Sequence, residues 1–193
     1  AYTQTAYQGV DRQAEQTVDL TLESPIEVVG YPIRDYAPAN VDLDFKNDFN
    51  FLVVAQNGPR KNLDSTLRWW VEEFYDQPVG LVLKVFWHNN STMDNYYMQR
   101  ELQKTLEEYK DRKCNIYLLH GDMTDEEMTA LYQHDKIKAL VSLSHGEGWG
   151  LPLFEAAYND LPIVTIDWGG QCDFLDVKVK EKSKKTKKRR EVI

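Results

Sequence analysis

Ala139-Leu140-Val141-Ser142-Leu143, then Ser144-His145-Gly146-Glu147-Gly148-Trp149-Gly150, then Leu151-Pro152-Leu153-Phe154-Glu155-Ala156, reads as an apolar strand, a glycine-rich turn and a helix start. An apolar run with little polar alternation suits a strand buried on both faces. The glycines of the turn let the backbone approach a ligand closely. Pro152 suits a first helical turn, where its missing N–H removes no bond. A helix start also aims free N–H groups at an anion such as a diphosphate. Two carboxylates stand eight positions apart, Glu147 in the turn and Glu155 inside the helix. A helical carboxylate can accept two hydrogen bonds from vicinal hydroxyls, as on a ribose. The plainer alternative is a tight turn with a helix cap and a solvated Glu155.

Working outward, the strand-turn-helix unit recurs. Short apolar runs lie at Ile26–Val29, Phe51–Ala55, Leu81–Trp87, Ile116–Leu119, Ala139–Leu143 and Ile163–Ile166. Helical patterns separate them. Leu63, Leu67, Trp70, Val71 and Phe74 share one helical face, with Asn62 or Asp64 as its cap. Met98, Leu102, Leu106 and Tyr109 form a second stripe, and Thr124 with Glu127 has the form of a capping box. Alternation of this kind implies right-handed crossovers and a doubly wound, Rossmann-like parallel sheet of the α/β class. Such sheets bind ligands at the carboxyl ends of their strands. Residues 1–25 stand outside the pattern, as a helix packed on the domain or a piece of a preceding one. The domain is expected over residues 26–177, with Leu175 the last core residue, and a basic tail over 178–193.

Other residues at strand ends carry chemistry. Asn57-Gly58-Pro59-Arg60-Lys61-Asn62 follows the run Phe51–Ala55. A guanidinium can grip phosphate with two bonds and an ammonium adds a point charge. A solvated Arg-Lys pair in a turn is the alternative. Leu119-His120-Gly121-Asp122 ends another run, and His120 reads either as a base-stacking group or as a partly buried loop histidine. His145, beside Glu147, is open to facing a ligand.

Composition narrows the function classes. The 193 residues carry a net charge of −8, yet nine Lys or Arg and one Glu lie between Lys178 and Arg190, so the remainder is strongly acidic. An acidic body argues against nucleic acid as a partner. The basic end reads as a solvated charged segment. Cys114 and Cys172 lie in no CxxC or Cys/His grouping and are expected as free thiols in a reducing, cytoplasmic setting. No apolar stretch approaches the roughly 18–20 residues of a membrane span. The glycine spacing also departs from G-x-G-x-x-G and follows a late strand, against a dehydrogenase or other dinucleotide enzyme.

The segment from Glu147 to Ala156 resembles the E-x7-E signature of retaining GT-B glycosyltransferases of the large family 4 type, roughly E-G-F/W-G-L-P-x-x-E-A. Glu147 and Glu155 match both acidic positions, and Leu161-Pro162-Ile163-Val164 matches the strand that follows. The resemblance runs from about Ile26 to Leu175. It implies the donor half of a GT-B fold, binding a nucleotide-diphosphate sugar as substrate with no cofactor and no metal. Ile26–Ile33 resembles the strand where the acceptor half hands over to the donor half.

By resemblance, Lys61 and Arg60 hold the donor diphosphate. Many members carry that Arg several residues earlier, after a glycine, and here the role falls to Arg60. Glu147 meets the transferred sugar or its developing positive charge, and Glu155 meets the ribose. Gly148, Trp149, Gly150, Leu151 and His145 surround the donor, His120 and Gly121 border its base, and Gly169 and Gly170 resemble the last glycine loop. Negative charge growing on the leaving diphosphate would be met by the two cations and the helix start. The implied activity is glycosyl transfer, with retention, to a glycan, lipid or protein acceptor, and with peripheral membrane association of the full enzyme. Because the acceptor half is missing, the chain is expected to be a fragment. The alternative is a non-enzymatic nucleotide-sugar-binding module.

Overall fold

The computed structural model describes residues 6–11, 16–21, 24–25 and 29–176. The chain divides into two compact units, Ala1–Arg34 and Asp35–Ile193. In the first, β1 (Ala6–Asp11) and β2 (Gln16–Thr21) form an antiparallel pair in register from Ala6↔Thr21 to Asp11↔Gln16. These strands replace the helix considered for residues 1–25. Ile26–Phe51 contains no strand before Asn50 among the described residues; positions 26–28 of the expected run lie outside them, and Val29 is 84% exposed. The basic tail also lies outside them.

The second unit holds the sheet: β3 (Asn50–Gln56), β4 (Gly80–Phe86), β5 (Asn115–Leu118), β6 (Ile137–Ser142) and β7 (Ile163–Thr165). All four pairings are parallel, in the order β5-β4-β3-β6-β7. The chain winds outward from β3 through β4 to β5, then returns to β6 on the other side of β3. The sheet is therefore doubly wound, with its switch point between β3 and β6.

Period-two alternation sends successive strand residues to opposite faces. Val53, Leu81, Leu83 and Val85 meet α1 (Leu63–Glu73) and α2 (Thr92–Leu106) through Leu67, Val71, Met98 and Leu102. Leu52, Val82 and Leu140 meet α3 (Asp125–Tyr132) and α4 (Leu151–Tyr158) through Leu131, Leu153 and Ala156. Burying one such Leu or Val contributes about 1.5–3 kcal/mol. Covering both faces explains why the runs lack polar alternation. A short α5 (Cys172–Leu175) ends the described unit, with Leu175 buried. Both cysteines are free, and among the described residues no helix is long and apolar enough to cross a membrane.

Helix starts follow local chemistry. Thr124 and Glu127 complete the capping box on α3. Pro152 stands in the first turn of α4. The expected cap on α1 is corrected: Asn62 is the N-cap residue, but it is left-handed (φ 51°) and its side chain caps nothing. Its Nδ2 instead donates to the carbonyl of Leu143, 3.1 Å away, at the end of β6. A tie across the switch point has replaced a local cap.

One contact between β3 and β4 makes the fold testable. Asn50 is fully buried, and its Nδ2 donates to the carbonyls of Asn47 (2.8 Å) and Lys136 (3.0 Å). A methyl group on its partner Gly80 would lie 1.9 Å from Asn50 Oδ1. Gly80→Ala is expected to destabilise by about 1–3 kcal/mol through overpacking. Asn50→Ala should cost a similar amount through its lost bonds. Urea denaturation of the double variant should show a loss smaller than the sum, since the shortened side chain makes room. Strict additivity would place the clash elsewhere.

Candidate functional site

Two loops meet at the switch point. One leaves β3 through a 3-10 turn at Pro59–Lys61. The other leaves β6 and carries the glycine turn. Five bonds join them. The His145 N–H donates to the Arg60 carbonyl (2.8 Å), and Asn62 donates to Leu143 as above. Arg60 donates to the Gly146 carbonyl (2.6 Å) and to Glu147 Oε2 (3.1 Å), and Lys61 Nζ donates to Glu147 Oε1 (2.6 Å). Three of the charged residues singled out in sequence, Arg60, Lys61 and Glu147, thus form one cluster, with Glu147 directly on both cations.

Their exposures differ. The Glu147 side chain is 8% exposed, Lys61 17% and Arg60 59%. Burial pushes the Glu147 carboxyl up, but the hydrogen bonds it receives and the Lys61 charge outweigh burial and hold it below the usual carboxylate range. The Lys61 pair is the strong one, short and largely shielded; the Arg60 contact is in water and weaker. One carboxylate opposes two cations, so the cluster keeps a net positive charge.

Beside it, α4 begins at Gly150 (φ 87°), where no side chain caps the helix and no acid occupies the first turn. Its N-terminal N–H groups and dipole therefore favour an anion. A cleft of about 370 Å³ opens at the strand ends, bounded by Gln56 on β3, Lys61, Lys84 on β4, Asp122 and Pro152. The cluster cation and the helix start border the same space.

Glu155 lies one turn further along α4. It is half-buried and its Oε2 accepts from the Tyr132 hydroxyl at 2.8 Å, so it is not the solvated side chain of the plainer alternative. Burial raises its carboxyl above the usual range, and the Tyr132 bond offsets this only in part. Tyr132, itself buried beside that carboxylate, is pushed well above the usual phenol range.

The remaining candidates scatter in role. The His120 ring is 4% exposed and its Nε2 sits 2.9 Å from Asp94 Oδ2, so of its two readings it fits the buried loop histidine, here a partner of Asp94. Asp94 also accepts the N–H groups of Trp87 and His88, each at 2.8 Å. The Trp149 ring packs against Phe154 and Phe174 at centroid distances of 5.6 and 5.2 Å. Gly121 (φ 110°) turns the loop after β5. Gly148 is exposed, with nothing within 4 Å of where a side chain would begin, and Leu151 is 40% exposed. His145 is exposed and contributes its backbone N–H. Gly170 has a steric reason to be glycine: a methyl group there would lie 1.8 Å from the Gly148 carbonyl.

Sequence reasoning missed Lys84. It is 8% exposed and donates to the carbonyl of Gly121. Burial pulls its pKa below the usual lysine range, against the pull of Asp122. Asp122 in turn accepts from Asn90. The available signal was a lone cation inside the run Leu81–Trp87. A separate trio, Asp167, Cys172 and Asp176, has potential metal-ligand atoms within 4.8 Å of one another; none belongs to the Glu147 cluster.

Residues 96–183 match the family described as glycosyl transferases group 1, a span that includes Glu147 and Glu155 but not Arg60 or Lys61. The chain is similar to the serotype-specific mannosyltransferase WbdA of Escherichia coli, 31% identical over 121 residues. That stretch is 61% of this chain and 13% of the relative, so the chain spans a small part of that protein's length. Among solved structures, it resembles the C-terminal domain of a group 1 glycosyl transferase family protein, LpcC, from Francisella tularensis. The TM-score is 0.50 at 17% identity, covering 62% of this chain and 58% of the other, and the likeness is one of fold: a GT-B-type, Rossmann-like domain.

The raised Glu155 carboxyl has a measurable consequence. Its folded pKa exceeds its unfolded one, so the folded state holds the proton more tightly. Stability from this group is full below the unfolded value and is lost as pH rises through the folded value. Glu155→Gln should therefore raise the melting temperature of the ligand-free protein at neutral pH by a few degrees. The gain should fade toward about pH 4, where the native carboxyl is protonated too. Scanning calorimetry across pH tests this; a variant less stable than the parent at neutral pH contradicts it.

Proposed function

We propose that the Asp35–Asp176 unit binds a nucleotide-diphosphate sugar in the cleft at the switch point, and that the glycosyl group passes from it to an acceptor. The observation that carries this is the Lys61–Glu147–Arg60 cluster beside the uncapped start of α4. Net positive charge and free N–H groups converge where a diphosphate would lie, with carboxylates for hydroxyls on either side. The group 1 family match and the mannosyltransferase relative support glycosyl transfer.

The residues take distinct tasks. Lys61, with Arg60 at the rim, and the α4 N–H groups hold the diphosphate. When the bond from the anomeric carbon to the diphosphate oxygen breaks, the electron pair stays on the diphosphate, and these groups stabilise that charge. Three positive features at the leaving group make a metal ion unnecessary for this stabilisation. Glu147 releases part of its hold on the cations and accepts from sugar hydroxyls, close to the positive charge that develops on the sugar. Glu155, oriented by Tyr132, accepts from the ribose. The Gly121 loop, braced by Lys84, borders the base. Transfer with retention follows the E-x7-E resemblance. The acceptor, a glycan, lipid or protein, is held outside this unit, and the setting is cytoplasmic with peripheral contact to a membrane.

Calorimetric titration separates the tasks. Glu155→Gln should weaken a plain nucleoside diphosphate and its sugar derivative alike, by about ten- to a hundredfold. Lys61→Ala should weaken both, with a loss that shrinks at high salt. Glu147→Gln frees the cations, so nucleoside diphosphate should bind as well as before or better, while the advantage of the sugar derivative falls by about tenfold. Unchanged nucleoside diphosphate affinity in Glu155→Gln would remove the ribose assignment. Equal losses for both ligands in Glu147→Gln would remove the sugar assignment.

A further inference from the structure

Trp168 is 57% exposed, in a part of the unit where the other tryptophan, Trp149, is packed between Phe154 and Phe174. Large exposed aromatics also occur on the outer helices, at Trp69 on α1 and Tyr96 and Tyr97 on α2. Trp168 differs from them in its position. A methyl group placed on Gly146 would lie 3.5 Å from its Cη2 and 3.6 Å from its Cζ3. The six-membered edge of the indole therefore stands against the residue just before Glu147.

The ring is not exposed because its loop is loose. The Trp168 carbonyl accepts from Gln171 Nε2 at 2.7 Å, and the same nitrogen reaches the Ile166 carbonyl at 3.2 Å. Gln171 is fully buried. Gly169 turns the chain at φ 110°, and the Gly170 N–H donates to the Glu147 carbonyl at 2.9 Å. Two interlocked loops thus hold an outward-facing indole against the residue that precedes Glu147.

That pairing has one fitting ligand chemistry. A pyranose ring has hydroxyls around its edge and an apolar patch of C–H groups on a face. The carboxylate accepts from the hydroxyls, and the indole covers the C–H face at low entropic cost, because it has only two side-chain torsions and its backbone is already held. We propose that Trp168 is the platform for the apolar face of a pyranose, and hence a residue that sets which sugar the site accepts. This rests on the site being a sugar-nucleotide site. The pyranose is either the sugar of the donor or a ring of the acceptor, and the platform chemistry is shared.

The test uses the full chain with Trp168→Ala and Trp168→Phe. Each is titrated with UDP, GDP, UDP-glucose and GDP-mannose, and separately with methyl glucoside and methyl mannoside. Trp168→Ala should leave UDP and GDP affinity within about twofold and weaken either a nucleotide sugar or a glycoside by about tenfold, with Trp168→Phe recovering most of the loss. A loss confined to the nucleotide sugars assigns the donor; a loss confined to the glycosides assigns the acceptor. Unchanged affinity for all sugars overturns the proposal, and so does an equal loss for nucleotides with and without sugar. If the parent binds no nucleotide, the function proposed above fails, while the glycoside titrations still decide the platform; a parent that binds no sugar in any form ends both.

Discussion

The short bond from Lys61 to Glu147 organises this molecule's functional end. It joins the first strand laid down in the sheet to the fourth, at the point where the winding reverses. A parallel sheet leaves a crevice there because successive crossovers depart in opposite directions. In this chain the crevice is bridged by charge rather than left open, and the bridge is supported by backbone bonds between the same two loops. Removing Lys61 or Glu147 would leave a shielded charge without its main partner, so these two residues constrain each other.

Glu147 and Glu155 share a sequence motif but not an environment. Glu147 faces two cations and is held ionised. Glu155 faces a buried phenol and a neighbouring acid, and its charge is disfavoured. The fold therefore tolerates Glu155 at some expense in stability, a pattern common where a side chain is retained for a ligand rather than for packing. Lys84 belongs with it: a cation drawn into a strand interior, with a carbonyl as its direct partner.

The architecture was legible because its signals are local and repeated. Five of six apolar runs coincide with strands, and the stripe of α1, the capping box of α3 and Pro152 in α4 all follow rules that act within a few residues. The positions of Arg60, Lys61 and Glu147 were also readable, since strand ends are where such folds bind. What could not be read is which partner each side chain would choose. Asn62 forgoes its own helix for Leu143, and His120 turns inward to Asp94, because partners more than twenty positions away outcompete local ones. Trp149 and Trp168 look alike in sequence, and only the packing of Phe154 and Phe174 separates a packed ring from an exposed one. The Ala6–Thr21 hairpin was missed because it stands apart from the alternation that revealed the rest.

The bridge also spans 86 positions of chain, and the pairing of β3 with β6 on which it sits is equally distant. Contacts this far apart must await closure of the loop between them, which here contains two whole strands and three helices. The β3–β4 and β4–β5 layers can assemble from nearer segments first. The crevice therefore exists only where this distant pairing has formed, and a chain without it has no such site to offer a ligand. Anything that binds there acts on the finished molecule alone, drawing the population toward it by mass action.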